Sequence, residues 1–231
     1  MLALLLVLAA VGCVEAPTEE LASPPPVTVS TREVPVPAAD SVERRVLEMT
    51  VRVRSLGCEQ FGLGSGFVLP DGVVVTNRHV IEQPRDVTIS TWDGRSLPAE
   101  VAGLARDTDL ALLQLEDPAG LPVAAELRTD PVRRGERVLA VGYPGGGPAT
   151  VSPGRVVGTS DGTVLGEPAE VIRVEVAITQ GSSGGPLVDA QGRVVGVMFA
   201  IEVDAGIGLA VPVATLLERL ETEAFVAPDP C

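Results

Sequence analysis

The sequence predicts an all-β fold: two six-stranded antiparallel barrels with a short helix at each end. Three observations carry this. The 231 residues include 25 glycines and 20 prolines, a breaker density that suits many short strands. Between the breakers lie short apolar runs dominated by valine. These runs fall into two sets of six, parted by a Pro- and Gly-containing stretch near Asp117–Pro131, and two equal sets suit two closed barrels. Hydrophobic residues make up 45% of the chain, enough for a sizeable core.

The elements follow in order. Residues 1–13 form a signal-like segment. Met1–Gly12, MLALLLVLAAVG, is uncharged. It is shorter than the roughly 20 residues a membrane helix needs and suits the apolar core of an export signal. Cys13 follows Ala10-Val11-Gly12 directly, an arrangement that resembles a bacterial lipobox, where cleavage leaves a lipidated cysteine. Ala10 stands where leucine is usual, and no basic residue precedes the run. Three readings fit: a lipoprotein signal with lipidation at Cys13, which is preferred, a cleaved secretory signal, or a truncated membrane anchor. All three export the protein, to a periplasm or the outer face of a bacterial membrane, and the first tethers it there.

Residues 14–39 are proline-dense and without apolar period, and read as an extended, disordered linker. Residues 40–231 form the folded domain. Asp40–Glu48, DSVERRVLE, has a capping residue and the apolar spacing of a short helix. The first set of strands is Val51–Arg54, Gly64–Leu69, Val73–Thr76, Val87–Thr91, Leu97–Leu104 and Leu110–Leu115. The second is Val138–Val141, Thr150–Gly158, Glu170–Ala177, Pro186–Asp189, Val194–Ile201 and Ile207–Val211. Val213–Ala224 closes the chain as a helix with Leu216, Leu217 and Leu220 on one face.

Charge and composition exclude several functions. Thirty-one acidic residues face 17 basic ones, a net charge of −14. A nucleic-acid binder needs a basic stripe to displace counterions, so nucleic acid is not an expected partner. Aromatic residues are 3% of the chain, too few for a base-stacking platform. His79 is the only histidine, and the three cysteines form no CxxC pair. A protein-built zinc site is therefore not expected, and neither is any other cofactor. In an exported chain, Cys58 and Cys231 are expected to join. In the chain-entropy model a bridge closing about 170 residues is worth at most about 5 kcal/mol.

Three stretches carry chemistry. Gln180-Gly181-Ser182-Ser183-Gly184-Gly185-Pro186-Leu187 sets serine among glycines. Acyl transfer by serine needs an exposed hydroxyl on a tight turn and backbone N–H groups converging on the developing oxyanion. Glycine permits both. Val75-Thr76-Asn77-Arg78-His79-Val80 ends a strand on His79, where a neutral imidazole can take and return a proton. Arg106-Asp107-Thr108-Asp109-Leu110-Ala111 brings an acid to the start of an apolar strand, which is costly without a partner. The second imidazole nitrogen would be that partner, and Asp109, which abuts the strand, is preferred to Asp107.

Taken together, TNRHV, DLALL and GSSGGPL resemble the chymotrypsin-like serine proteases, in particular the high-temperature-requirement (HtrA) branch. The resemblance spans about Ser41–Thr222. It implies a double β-barrel with the site in the cleft between barrels, and a serine endopeptidase acting on protein or peptide substrates. It further implies His79 as general base, Asp109 as its orienter and Ser183 as nucleophile, with the N–H groups of Gly181 and Ser183 as the oxyanion hole. Ile178, Ile201 and Ile207 fall at the family's pocket-wall positions, and Met198, Phe199 and Ala200 form the rim strand. No acid stands among them, so a small or medium apolar residue, such as Ala, Val or Leu, is expected before the scissile bond. Gly57-Cys58 and Gly142-Tyr143-Pro144-Gly145-Gly146-Gly147 further resemble the disulfide-bearing, membrane-tethered acid-resistance periplasmic proteases, which join an early cysteine to a late one. The usual upstream membrane helices and a following PDZ domain are not seen in the sequence. A catalytically silent binding or chaperone module on the same scaffold is the alternative. An esterase is the third reading, although strands rather than a helix follow Ser183, unlike the α/β-hydrolase elbow. Oligomeric state is not legible.

Overall fold

The computed structural model describes residues 37–117, 123–161, 170–202 and 205–228. The signal-like segment, Cys13, nearly all of the linker and Cys231 lie outside them. The compact unit Val36–Cys231 runs α1 (Val42–Met49), β1 (Thr50–Gly57), β2 (Phe61–Val68), β3 (Val73–Asn77), β4 (Pro84–Ser90), β5 (Ser96–Ala105) and β6 (Leu110–Leu115). It continues with β7 (Arg137–Gly142), β8 (Thr150–Ser160), β9 (Val171–Val176), β10 (Pro186–Val188), β11 (Val194–Glu202), β12 (Ile207–Pro212) and α2 (Val213–Glu221). The strands close into two antiparallel barrels, in the orders β1-β2-β3-β6-β5-β4 and β10-β11-β12-β9-β8-β7. The expected double barrel with a helix at each end is thus the observed architecture.

Alternating valines make each barrel. Val51, Val53, Val74, Ile89 and Leu113 fill the first, and Val138, Ala140, Ile172, Val174 and Leu187 fill the second. A third cluster joins the barrels: Phe67, Val75 and Leu110 of the first meet Val141, Val188 and Val197 of the second, with Val46 of α1 and Leu216 of α2. Burying each such side chain stabilises by about 1.5–3 kcal/mol. This shared core holds the barrel faces in fixed relation, so loops from both can build one site.

At its N-terminus α1 is capped by Ser41, whose side chain accepts the Arg44 N–H at 3.1 Å. Its apolar face, Val46, Leu47 and Met49, is buried. At the other end the chain returns from α2 to the first barrel. Val226 pairs with Leu104 through hydrogen bonds of 2.8 and 3.0 Å, and Phe225 lies so close over Gly103 that a Cβ there would stand 2.6 Å from it. The turn between β10 and β11 is locked by Asp189, which accepts the Gln191 and Arg193 N–H groups at 2.9 and 3.0 Å. Burial pushes the Asp189 carboxyl up. The N–H groups and guanidinium of Arg193 pull harder, and it rests below the usual range.

The first hairpin is longer than the sequence suggests. β1 continues through Gly57, and β2 starts at Phe61. Leu56 and Phe61 are cross-strand partners and are 55% and 63% exposed: the strand still alternates between buried and exposed positions, but its outward positions here are apolar rather than polar. Gly62 and Gly64 lie within β2 and mark close approach of other backbone and side chains. A Cβ on Gly62 would stand 1.9 Å from the Val80 carbonyl oxygen.

Candidate active site

Loops from both barrels meet around Gly64. A Cβ there would lie 2.6 Å from a Val80 methyl and 2.9 Å from the Ser183 carbonyl oxygen. The turn that carries His79 and the loop that carries Ser183 therefore flank one glycine.

His79 sits in the 3-10 turn Arg78–Val80, which follows β3 and is closed by the Ile81 N–H on the Arg78 carbonyl at 2.9 Å. Asp109 precedes β6 and is buried, with φ +53°. Aspartate tolerates this left-handed region better than most residues, at a cost of about 1 kcal/mol. The Asp109 carbonyl is held by the Arg78 N–H at 2.9 Å and the Asn77 amide at 3.0 Å. With the backbone fixed, both carboxylate oxygens reach His79. Oδ2 lies 2.6 Å from Nδ1, and Oδ1 accepts the His79 backbone N–H at 3.1 Å. A carboxylate only accepts, so the contact puts the ring proton on Nδ1 and leaves the lone pair on Nε2. Arg78 Nε stands 3.9 Å from Oδ1. Asp107 turns the other way and pairs with Arg219 of α2 at 2.7 Å.

Ser183 stands between β9 and β10, three residues before Pro186. Its hydroxyl donates to the Phe199 carbonyl at 3.4 Å, a weak contact, and no hydrogen bond joins it to His79. Each peptide carbonyl from Gln180 to Ser183 has a donor. The Gln180 carbonyl accepts from Gly145 N–H at 2.8 Å and the Ser182 carbonyl from Gly185 N–H at 3.0 Å. The Gly181 carbonyl accepts from the Ser65 hydroxyl, and the Ser183 carbonyl from the Ser65 N–H, both at 2.7 Å. The Ser182 and Gly184 N–H groups donate to Thr179 and Met198. Among the described residues, the N–H groups of Gly181 and Ser183 are left without an acceptor. In a trans peptide the N–H points opposite the carbonyl, so both are aimed away from their own anchors. Gly181 has φ +97°, and a Cβ on it would stand 2.6 Å from the Tyr143 carbonyl oxygen. Only glycine fits there.

A small pocket opens beside Ser183. It is lined by Ile178, Gln180, Met198, Phe199, Ala200 and Ile201, among others. Met198, Ile178 and Val176 converge on Gly208, where a Cβ would lie 2.8, 3.1 and 3.0 Å from them. Ile207 is not among the lining residues. It opens β12 opposite Glu202, half-buried and packed against the shared core. No metal-holding group of His, Cys, Asp and Glu occurs among the described residues.

Two participants escape a reading of the sequence. Ser65 lies inside the expected strand Gly64–Leu69, and residues 143–147 lie inside Gly142–Gly147, yet neither has a legible role there. A lone hydroxyl in an apolar strand signals that it needs a partner. The partner itself comes from the other barrel.

Comparison with known proteins agrees with this geometry. The model of the trypsin-like peptidase domain matches residues 64–197. The putative serine protease HhoB of Synechocystis is 40% identical over 161 residues, 67% of this chain and 38% of HhoB. Serine protease Rv3671c of Mycobacterium tuberculosis is 34% identical over 199 residues, 81% of this chain and 47% of that protein. The crystal structure of the Rv3671c protease in its active form superposes with a TM-score of 0.73 at 28% identity, covering 90% of this chain and 97% of that one. The chain thus spans less than half the length of these two curated relatives.

Proposed function

Because the chain belongs to the trypsin-like peptidase family, with HtrA-type homologues, we propose that it is an exported serine endopeptidase whose peptidase domain is 40–231. The observation that carries this is the Asp109–His79 pair beside two acceptor-free N–H groups on the loop of Ser183.

In this reading the Ser183 hydroxyl leaves the Phe199 carbonyl when substrate binds, and its Oγ attacks the scissile carbonyl carbon. Nε2 of His79 takes the proton. The carbonyl oxygen becomes the oxyanion and accepts from the N–H groups of Gly181 and Ser183, donors that need no reorganisation at the moment of reaction. The imidazole gains a proton and becomes a positively charged imidazolium, which Asp109 stabilises while holding the ring. His79 then protonates the leaving amine, the C–N bond breaks and an acyl-enzyme remains. Water repeats the sequence in reverse and releases the acid. The residue before the scissile bond enters the pocket over Ile178 and Ile201, and its apolar lining favours Ala, Val or Leu there.

Export is supported by relatives named as periplasmic, among them the periplasmic pH-dependent serine endoprotease DegQ of Escherichia coli. Tethering through lipidated Cys13 is the finer reading. We also infer a Cys58–Cys231 bridge. Cys58 is disulfide-bonded, its Sγ lies 3.5 Å from the Gln83 carbonyl oxygen, and Pro228 shares a groove with Pro84, Arg85 and Asp86.

Fluorophosphonate labelling of the full chain, read by intact mass, tests the peptidase reading. One adduct on the wild type and none on Ser183→Ala is expected. No adduct on the wild type would overturn it in favour of a silent binding module.

A further inference from the structure

We propose that Ser65 is a positioning residue for the oxyanion hole, a role that rests on the peptidase reading above. Ser65 belongs to the first barrel, whereas the loop it holds belongs to the second. Its side chain is wholly buried, and each of its polar groups is engaged. The hydroxyl donates to the Gly181 carbonyl at 2.7 Å and accepts the Tyr143 N–H at 2.9 Å. The backbone N–H donates to the Ser183 carbonyl at 2.7 Å, and the carbonyl accepts from the Thr76 hydroxyl at 2.7 Å.

The four peptide units from Gln180 to Gly184 alternate in direction. Two of them present the N–H groups of Gly181 and Ser183, with their carbonyls tied to Gly145 and Gly185. The other two point the opposite way, and Ser65 holds the carbonyls of both. Neighbouring units share a Cα, so the two held units fix both ends of the unit that carries the Ser183 N–H and one end of the unit that carries the Gly181 N–H, which narrows the φ and ψ open to each. A serine across the barrel interface therefore sets the orientation of donors that it never touches. Its hydroxyl also couples the two supports of the loop. Tyr143 begins the segment whose Gly145 holds Gln180, and that segment is anchored in turn by Arg52 on the Gly146 carbonyl at 2.9 Å. The space suits serine. A Cβ on Gly142 would lie 2.9 Å from the Ser65 hydroxyl oxygen, and one on Gly185 would lie 3.3 Å from the Ser65 Cβ.

Ser65→Ala removes the hydroxyl, leaving the Gly181 carbonyl without its donor and the Tyr143 N–H without its acceptor. A misplaced donor pair weakens the transition state while substrate binding stays. In the full-length protein, kcat should fall about 10²-fold with KM within about twofold, since loss of positioning or of one oxyanion donor has this scale. Two inhibitors separate this role from general damage. A peptidyl boronate places an oxyanion in the hole, and the same peptide as an amide does not. Boronate affinity should drop in step with kcat/KM, and amide affinity should hold. Ser65→Cys, whose thiol is a weak donor, should fall between wild type and Ser65→Ala. It supplies the same comparison if Ser65→Ala does not fold. Equal loss of boronate and amide affinity, or kcat/KM within about threefold of wild type, overturns the proposal. Fluorophosphonate labelling of wild-type Ser183 accompanies the series. Its absence overturns the peptidase reading itself, whereas a labelled wild type with an unaffected variant overturns only the role of Ser65.

Discussion

Asp109 holds His79 by two bonds, one from each carboxylate oxygen: 2.6 Å to the ring and 3.1 Å to the backbone N–H. Ring orientation and turn position are thus set by one side chain, whose own backbone carbonyl is held by the Arg78 N–H and the Asn77 amide. Asp109→Asn keeps the shape but offers an NH2 group or a neutral oxygen where an anion stood. kcat toward a peptide substrate should fall by about 10³–10⁴-fold, as loss of the orienting carboxylate does in such triads. Asp107→Asn, which loses only the Arg219 pair, should stay within about twofold. Similar losses in both variants would sink the assignment.

The pocket beside Ser183 predicts a specificity change. Met198 is buried, lines the pocket and projects its terminal methyl toward Gly208. Met198→Ala should shift preference from Ala or Val toward Leu or Phe before the scissile bond. A change of about tenfold in relative kcat/KM is expected, the scale of a methylene or two in an apolar pocket. Stability should fall by about 2–4 kcal/mol for the cavity. An unchanged rank order across a series of substrates differing at that residue would refute the pocket assignment.

The carboxyl-terminal tail crosses to the first barrel at Val226–Leu104, with Pro228 beside Pro84. If Cys58 bridges to Cys231, Cys231→Ser should lower the melting temperature under oxidising conditions. Reductant should then affect only the wild type. The loss is bounded by about 5 kcal/mol in the chain-entropy model. Equal melting of wild type and Cys231→Ser would exclude the bridge.

Tyr143 is the only tyrosine, so its phenolate absorbance reports one group. Burial pushes its phenol up to about 12, with the Arg52 guanidinium pulling the other way. An ultraviolet titration of the folded protein should therefore find a midpoint near 12 rather than 10. The folded value lies above the unfolded one. The neutral phenol's contribution to stability is thus full below pH 10 and is lost as pH rises from 10 toward 12. A folded-state midpoint near 10 would contradict the burial of the ring.

Twelve strands, two helices and the local stretches around His79, Asp109 and Ser183 were legible in the sequence. Valine alternation and glycine or proline breaks are short-range signals that a linear reading recovers. The hairpin at Leu56 and Phe61 was not fully legible, because exposed apolar residues mimic neither a core nor a turn. The displacement of Ile207 from the pocket lining also escaped, because strand register decides which side chains reach a cavity.

By itself the sequence determined the residue types available for the chemistry: one histidine, a serine among glycines and an acid before an apolar strand. Only the tertiary structure decided that Asp109 turns to His79 while Asp107 turns to Arg219. It alone decided that Ser65, 116 positions before Gly181, holds that residue's carbonyl. The physical reason is that a hydrogen bond across two barrels depends on how a shared core docks them. That docking is a property of packed surfaces and is not written in any local stretch of chain.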